Sequence, residues 1–361
     1  MEVPRTLLGL VEHYSPSGSE QEAVTWLVGR MRDLRFTRVY QDEAGNAVGR
    51  MGKGERQIVL LGHIDTVPGQ IEVQVREDAL YGRGSVDAKG SLAAFVDAVG
   101  KIGEQNGWEL IVIGAVDEEG DSKGARHLVN HYHPIYAVIG EPSQWQRITL
   151  GYKGTAWAKI KLSQDSAHTA SNQSSVCESA FGIWQRIIAW CEKSNEGKNR
   201  QFDQITPTLR EFQSSSDGFQ EYADLRIGVR LPVGFSPQDW YQVINTILER
   251  ESTCQMELVP FGYPISAYRA EKSTPLVRSF LQAIRSQGGE PSFAVKTGTA
   301  DMNIVAPKWG CPVVAYGPGD SNLDHTPNEH LSIREYKLAV QVLESVLGSL
   351  TSDVPREGIA Q

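Results

Sequence analysis

The sequence predicts an α/β protein, a sheet domain with helices on both faces, interrupted by a smaller inserted α+β domain. Three observations predict it. Short apolar runs alternate with helical patterns up to about residue 150. After Gly151 the texture changes to long alternating strands and two amphipathic helices in β-α-β-β-α-β order, the pattern of a small open sandwich. From about Thr274 the first texture returns. The expected division is 1–152 with 269–361 for the sheet domain and 153–268 for the insertion.

The chain opens on a helix. Residues 15–20, Ser-Pro-Ser-Gly-Ser-Glu, then offer Ser and Glu side chains to cap a helix over about 20–34. Residues 58–61 read as a buried strand, 92–102 as a helix, 110–116 as a strand, 124–130 as a short helix and 136–139 as another strand. In the insertion, 155–162 alternates like a half-exposed strand and 175–193 is an amphipathic helix. Two strand-like stretches follow at 205–214 and 221–231, then a helix opened by Ser236-Pro237 and running to about 250, and a strand at 255–259. The last portion reads as helix 275–287, strand 292–295, a helix after Asp301, strand 313–316 and helix 333–350, with a disordered tail of ten residues.

Bulk properties exclude several function classes. With 361 residues there is length for two domains and a filled core. A formal net charge of −9 argues against general nucleic-acid binding, which needs a basic face. Cys177, Cys191, Cys254 and Cys311 are scattered without a C-x-x-C pair, so neither a disulfide framework nor a cysteine zinc site is indicated. The first residues lack the basic-then-apolar layout, so a signal peptide is not expected, and no apolar run approaches the roughly 18 residues needed to span a bilayer. A soluble cytoplasmic protein is expected, without a membrane or nucleic-acid partner.

Five polar stretches fall just beyond predicted strands or in loops that open helices, the edge where open α/β sheets bind ligands. They are Gly62-His63-Ile64-Asp65, Gly84 to Gly90 with Asp87 at its centre, Asp117-Glu118-Glu119-Gly120, Gly140-Glu141-Pro142 and Asp324-His325-Thr326-Pro327. Alone, Asp87 reads equally as a helix cap, Glu118-Glu119 as a solvated loop, His63 as structural and Glu141 as a turn residue. Together they supply two imidazoles and several carboxylates, the donors that suit zinc or cobalt. Charge favours two ions: Asp87, Glu119 and Glu141 with one hydroxide balance two divalent cations, and two ions some 3.5–4 Å apart can clamp a carbonyl. The expectation is Asp87 as bridge, His63 and Glu141 on one ion, and Glu119 and His325 on the other. Consecutive side chains diverge, so Glu118 faces the attacking water as general base and later returns the proton to the amine. Asp65 is expected to accept the second N–H of His63 and fix its tautomer. His13, His127, His131, His133 and His330 lack such placement. Lys89-Gly90-Ser91 has the wrong order for a phosphate loop.

As a set, Gly-His-Ile-Asp-Thr-Val-Pro, Gly-Arg-Gly-Ser-Val-Asp-Ala-Lys-Gly, Asp-Glu-Glu-Gly, Gly-Glu-Pro and the late His325 resemble the dimetal aminoacylase and carboxypeptidase family. That family includes acetylornithine deacetylase, succinyl-diaminopimelate desuccinylase and glutamate carboxypeptidase. The resemblance covers nearly the whole chain and implies a metallopeptidase-type sheet domain holding two divalent ions, zinc or alternatively cobalt. It implies that the insertion is a lid that also pairs two subunits. It further implies that His168 stabilises the oxyanion and that Arg230 grips a substrate carboxylate. The family often has Asp or Asn two residues before this arginine; here Gly228 stands there. Lys296-Thr297-Gly298-Thr299-Ala300-Asp301-Met302-Asn303 looks closest to hydrolases of lysine and arginine biosynthesis that release lysine or ornithine from an amino-group carrier protein. On that likeness Thr299, Asp301 and Asn303 are substrate contacts. An acidic carrier would need Lys153, Lys159, Lys161, Arg226, Arg230 and Arg269 to form a basic patch. The alternatives are a small-molecule deacylase, a dipeptidase, or a non-catalytic binding module that keeps the fold.

Overall fold

The structure is a computed structural model that describes residues 2–168, 170, 172–250 and 254–352. In chain order the elements begin with α1 (Arg5–Glu12), α2 (Gln21–Asp33), β1 (Arg38–Gln41), β2 (Ala47–Met51), β3 (Arg56–His63), β4 (Gln74–Arg76) and β5 (Ala79–Tyr81). Next come α3 (Lys89–Ile102), β6 (Trp108–Ala115), α4 (Lys123–Leu128), β7 (Tyr136–Gly140) and β8 (Arg147–Tyr152). Then follow β9 (Gly154–Asp165), α5 (Val176–Ser194), β10 (Thr206–Ser216), β11 (Gln220–Leu231), α6 (Pro237–Leu248), β12 (Gln255–Ile265) and β13 (Tyr268–Arg269). The chain finishes with α7 (Pro275–Ser286), β14 (Ser292–Lys296), α8 (Asp301–Trp309), β15 (Val313–Ala315), β16 (His330–Ser332) and α9 (Ile333–Ser352). Of the ten-residue tail expected to be disordered, Ser352 ends α9 and the other nine lie outside the described residues.

The chain divides into two compact units. The first comprises Met1–Gly151, Ala270–Val295 and Ala300–Gln361; the second comprises Tyr152–Arg269 and Lys296–Thr299. The last assignment departs from the division expected from the sequence. The Lys153 amide donates to the Lys296 carbonyl, and the Lys296 ammonium sits 5.8 Å from the Tyr152 ring. Arg230 Nη1 adds a 3.2 Å bond to Thr299 Oγ1. These links tie 296–299 to the smaller unit.

In the first unit the main sheet runs β1-β2-β6-β3-β7-β15-β8, with β14 also on β8. Strands β6, β3, β7 and β15 are mutually parallel. Their continuous apolar runs are buried along nearly their whole length, as parallel strands covered on both faces must be. Gly62, Gly114 and Gly140 stand in one row across β3, β6 and β7. A Cβ on Gly140 would lie 2.9 Å from the Phe95 ring, and one on Gly62 would lie 3.2 Å from Leu92 Cβ. The bare row therefore lets α3 settle against the sheet at the point where three strands end. A separate antiparallel ribbon, β16-β5-β4, brings Tyr81 opposite His330.

The second unit is a fully antiparallel sheet, β10-β11-β9-β12, with α5 and α6 against it. Alternation decides its faces: Ala156, Ala158, Ile160 and Leu162 of β9 join Ala223, Leu225, Ile227 and Val229 of β11 in a core with Ile183, Ile187, Trp240 and Ile244 of the helices. Ser175 and Ser236 close capping boxes with Glu178 and Asp239, which fixes where each helix begins. Trp157 lies over Gly228, where a Cβ would come within 2.6 Å of the ring. The residue that departs from the resembled pattern thus makes room for an indole flanked by the Arg210 and Arg226 guanidinium groups. No helix among the described residues is long and apolar enough to cross a membrane.

Candidate metal centre

Three neighbouring parallel strands, β6, β3 and β7, end side by side and release the candidate side chains in adjacent loops. His63 is the last residue of β3, Glu141 follows β7 directly, and Glu118 and Glu119 lie in the turn beyond β6. Asp117 opens that turn at φ +64, a left-handed conformation rare for a residue with a side chain. Its carbonyl accepts the amide of Ser122 at 2.6 Å, which folds the turn tightly. Asp87 comes from the turn that starts α3, and His325 from the loop before β16, itself held at φ +61.

These separated residues meet. His63 Nδ1 donates to the Asp65 carbonyl at 2.9 Å, which leaves Nε2 directed at Asp87 Oδ1, 3.2 Å away. The other Asp87 oxygen, Oδ2, lies 3.0 Å from His325 Nε2, and that nitrogen is also 3.0 Å from Glu119 Oε1. One carboxylate therefore faces two imidazoles, one oxygen to each. Potential donor atoms of His63, Glu118 and Glu119 lie within 4.8 Å of one another, as do those of Asp87, Glu119 and His325. Glu141 belongs to neither tight set. It is buried, and its charge is felt by Glu118.

Asp65 does its work differently from the expectation. Its carboxylate is 3.6 Å from His63 Nδ1, so the tautomer is fixed by the main-chain carbonyl and the carboxylate adds charge. Instead Oδ1 accepts the Glu118 amide and Oδ2 the Glu119 amide, both at 3.0 Å, while Ser17 Oγ donates to Oδ2 at 2.7 Å. Asp65 thereby sets the direction of the Glu118-Glu119 turn. The Ser and Glu side chains of residues 15–20 were expected to cap α2. The helix starts without a side-chain cap: Ser15 donates to the Ile64 carbonyl, Ser17 is engaged by Asp65, and Glu20 accepts the Gly18 amide.

The electrostatics are those of a site built for cations. Burial pushes Glu118 well above the usual carboxylate range; His63 opposes this, and the negative charges of Glu141 and Glu119 add to it. Burial would lower His63, but its interactions with Asp65 and Asp87 and the charge of Glu118 outweigh this and raise it well above an ordinary imidazole. His325 is lifted to about 10 by hydrogen bonds to Asp87 and Glu119. Asp87 is driven far below the usual range: burial raises it, but the two imidazoles more than offset this. Imidazole nitrogens and carboxylate oxygens directed at one another at such distances need a proton or a metal ion between them. The donor set, His and carboxylate without thiolate, fits divalent zinc or cobalt.

A residue with no sequence signal completes the arrangement. Glu329 is buried, and its Oε1 accepts the amides of Val86 at 2.9 Å and Asp87 at 3.0 Å. Its Oε2 pairs with Arg83 Nη1 at 2.9 Å. Burial raises its pKa, and the amide bonds partly offset that. Lys89, also buried, donates to the His13 carbonyl, and burial lowers it to about 7.

The expected substrate residues are distributed over both units. In the second, Arg230 bonds Thr299, and His168 is exposed with Nδ1 accepting the Ala170 amide. Thr169 and Ser171, which follow it in the chain, lie outside the described residues. In the first, Asp301 and Asn303 are 2% and 5% exposed, and Asn303 Oδ1 accepts the Ala300 amide at the start of α8. The expected basic patch is largely spoken for. Lys153 is buried on the carbonyls of Gln201 and Gln204, Lys159 pairs with Asp224 at 3.5 Å, and Lys161 is 4.0 Å from Glu257. Arg226 stacks on Trp157 and Phe261.

The model of peptidase family M20/M25/M40 matches residues 59–349. The LysW-lysine hydrolase of Deinococcus radiodurans is 44% identical over 93% of this chain and 93% of its own. The LysW-lysine/LysW-ornithine hydrolase of Sulfurisphaera tokodaii is 30% identical over 94% of this chain and 92% of its own. Among solved structures, an M20 family metallo-carboxypeptidase from Sulfolobus solfataricus superposes with a TM-score of 0.76 at 17% identity, covering 96% of this chain and 99% of that one. A tripeptidase from Staphylococcus aureus gives 0.77 at 19% identity, covering 96% and 97%. At such identities these two structures speak to the fold alone.

Proposed function

This chain belongs to peptidase family M20/M25/M40, and from that premise we propose that it is a metal-dependent amidohydrolase that releases lysine or ornithine from an amino-group carrier protein. The supporting observation for the chemistry is the single carboxylate of Asp87 set between two imidazoles, with Glu119 beside one of them. The substrate class is supported by the names of the relatives that align over most of their length.

His63, Asp87, Glu119, Glu141 and His325 would hold two divalent ions, zinc or cobalt. When bound, such ions supply Lewis acidity to a carbonyl and lower the pKa of water toward about 7. Glu118 takes the proton of the water that adds to the amide carbon. As the C–N bond breaks, the same carboxyl passes that proton to the departing α-amine, so the products are the free amino acid and the carrier's carboxylate. Its raised proton affinity suits both halves of this cycle. Asp65 holds the Glu118-Glu119 turn through its two amide bonds. His168 donates to the developing oxyanion, Arg230 grips the substrate carboxylate, and Thr299, Asp301 and Asn303 serve as further substrate contacts. The smaller unit acts as lid and as the pairing surface of a homodimer working in the cytoplasm.

The test is a competition between substrates. Purified protein loaded with zinc or cobalt is given carrier-linked lysine, carrier-linked ornithine and N-acetylornithine. Release from the carrier should be fastest. Faster acetylornithine cleavage would reassign the chain to the small-molecule deacetylases, and no cleavage of any amide would make it a binding module.

A further inference from the structure

Arg83 and Glu329 stand 246 residues apart in the chain yet form a buried ion pair beside the loops carrying Asp87 and His325. The connections run both ways. Glu329 follows His325 by four residues and receives the amide of Asp87 itself, together with that of Val86. Arg83 precedes Asp87 by four residues, donates Nε to the Gly69 carbonyl at 2.9 Å and has Nη1 3.3 Å from the Thr326 carbonyl. Pairing of Tyr81 with His330 brings the two stretches alongside each other. A carboxylate that accepts two consecutive amides removes the rotation of that turn, so the Asp87 side chain leaves it in one direction. With this hold, its two oxygens reach different imidazoles.

We propose that the Arg83–Glu329 pair is a positioning clamp that sets the spacing between Asp87 and His325 and thereby the affinity and geometry of the metal pair. The clamp rests on the metal-hydrolase reading above and touches no substrate. A merely structural pair would contribute to stability alone; a clamp changes how the ions are held in a protein that remains folded.

The experiment uses the full chain, stripped of metal, as wild type and as Glu329→Gln, Arg83→Lys and Arg83→Met. Thermal unfolding without metal reports folding. Cobalt titration reports affinity, and the visible absorption bands of the cobalt protein report coordination geometry. The clamp predicts a cobalt affinity roughly 10- to 100-fold weaker in Glu329→Gln and Arg83→Met, with shifted bands. Arg83→Lys, which keeps the charge, should recover part of the loss. At saturating cobalt kcat should fall while KM stays within about twofold, because the defect lies in orientation of the metal ligands and not in substrate contact. Should Glu329→Gln fail to fold, the two arginine variants decide the matter. Wild-type affinity and bands in variants that only unfold earlier would overturn the clamp. Absence of cobalt binding by the unsubstituted protein would remove the metal centre itself, and with it the clamp.

Discussion

Replacing Glu118 by Gln is the sharpest perturbation available, because it removes one proton site and almost no volume. The carboxyl is buried, and its neighbours Glu141 and Glu119 oppose its ionisation. As general base it should contribute about 10²–10⁴-fold to the rate, or about 3–5 kcal/mol of barrier. The loss should fall on kcat, measured by amino-acid release at saturating substrate, with both metal equivalents retained by elemental analysis. Stability provides a second arm with the opposite sign. A carboxyl whose folded pKa exceeds its unfolded value contributes stability below the unfolded pKa, about 4.3, and loses it as pH rises through the folded pKa. The metal-free Gln variant should therefore unfold at higher urea than wild type at pH 8, the advantage vanishing toward pH 4. Full activity in Glu118→Gln would refute the assignment of the base; reduced activity with one metal equivalent lost would make Glu118 a ligand.

Other expectations follow from the same geometry. His63 lies well above 6.5 and His325 at about 10 without metal, so both are charged at pH 7, and metal binding should expel about two protons. Calorimetry of zinc binding in buffers of different ionisation enthalpy counts them; a count near zero would contradict the assigned ligands. Arg230→Lys retains charge but loses the planar fork, so KM for the carrier-linked substrate should rise roughly tenfold with a smaller change in kcat. Gly228→Asp would place a Cβ 2.6 Å from the Trp157 ring, and the displaced indole should cost about 1–3 kcal/mol in urea unfolding. An unchanged midpoint would show that Trp157 moves freely.

Long periodic segments were legible because their patterns repeat: α3, α5, α7 and α9, and strands β3, β6, β9 and β11, lie where periodicity puts them. Of the strands of three to six residues, β7, β14 and β15 were read, whereas β1, β2, β4, β5, β8 and β16 went unread, since so short a stretch completes too few alternations. The cost of missing β5 and β16 was larger than their size, because their pairing joins the Asp87 and His325 loops. The chemistry was readable as residue types at strand ends, since β6, β3 and β7 are neighbours. Supporting roles were not. Ser17 was grouped with the helix-capping side chains of residues 15–20 because capping a helix and steadying a carboxylate call for the same hydroxyl. Glu329 carried no signal, as a lone glutamate in a polar loop resembles any solvated one.

The pairing of Tyr81 with His330 also bears on how the molecule is assembled. Every ladder of the four-stranded sheet closes within one contiguous stretch, whereas the ribbon beside Asp87 waits for a partner from far downstream. Closing so wide a loop carries an entropic toll and slows folding, so local ladders form first. The loops carrying Asp87 and His325 come together only with that closure. Completion of the metal pair is then a late event that seals a finished scaffold, and nascent chains short of His330 should bind zinc more weakly than the finished chain.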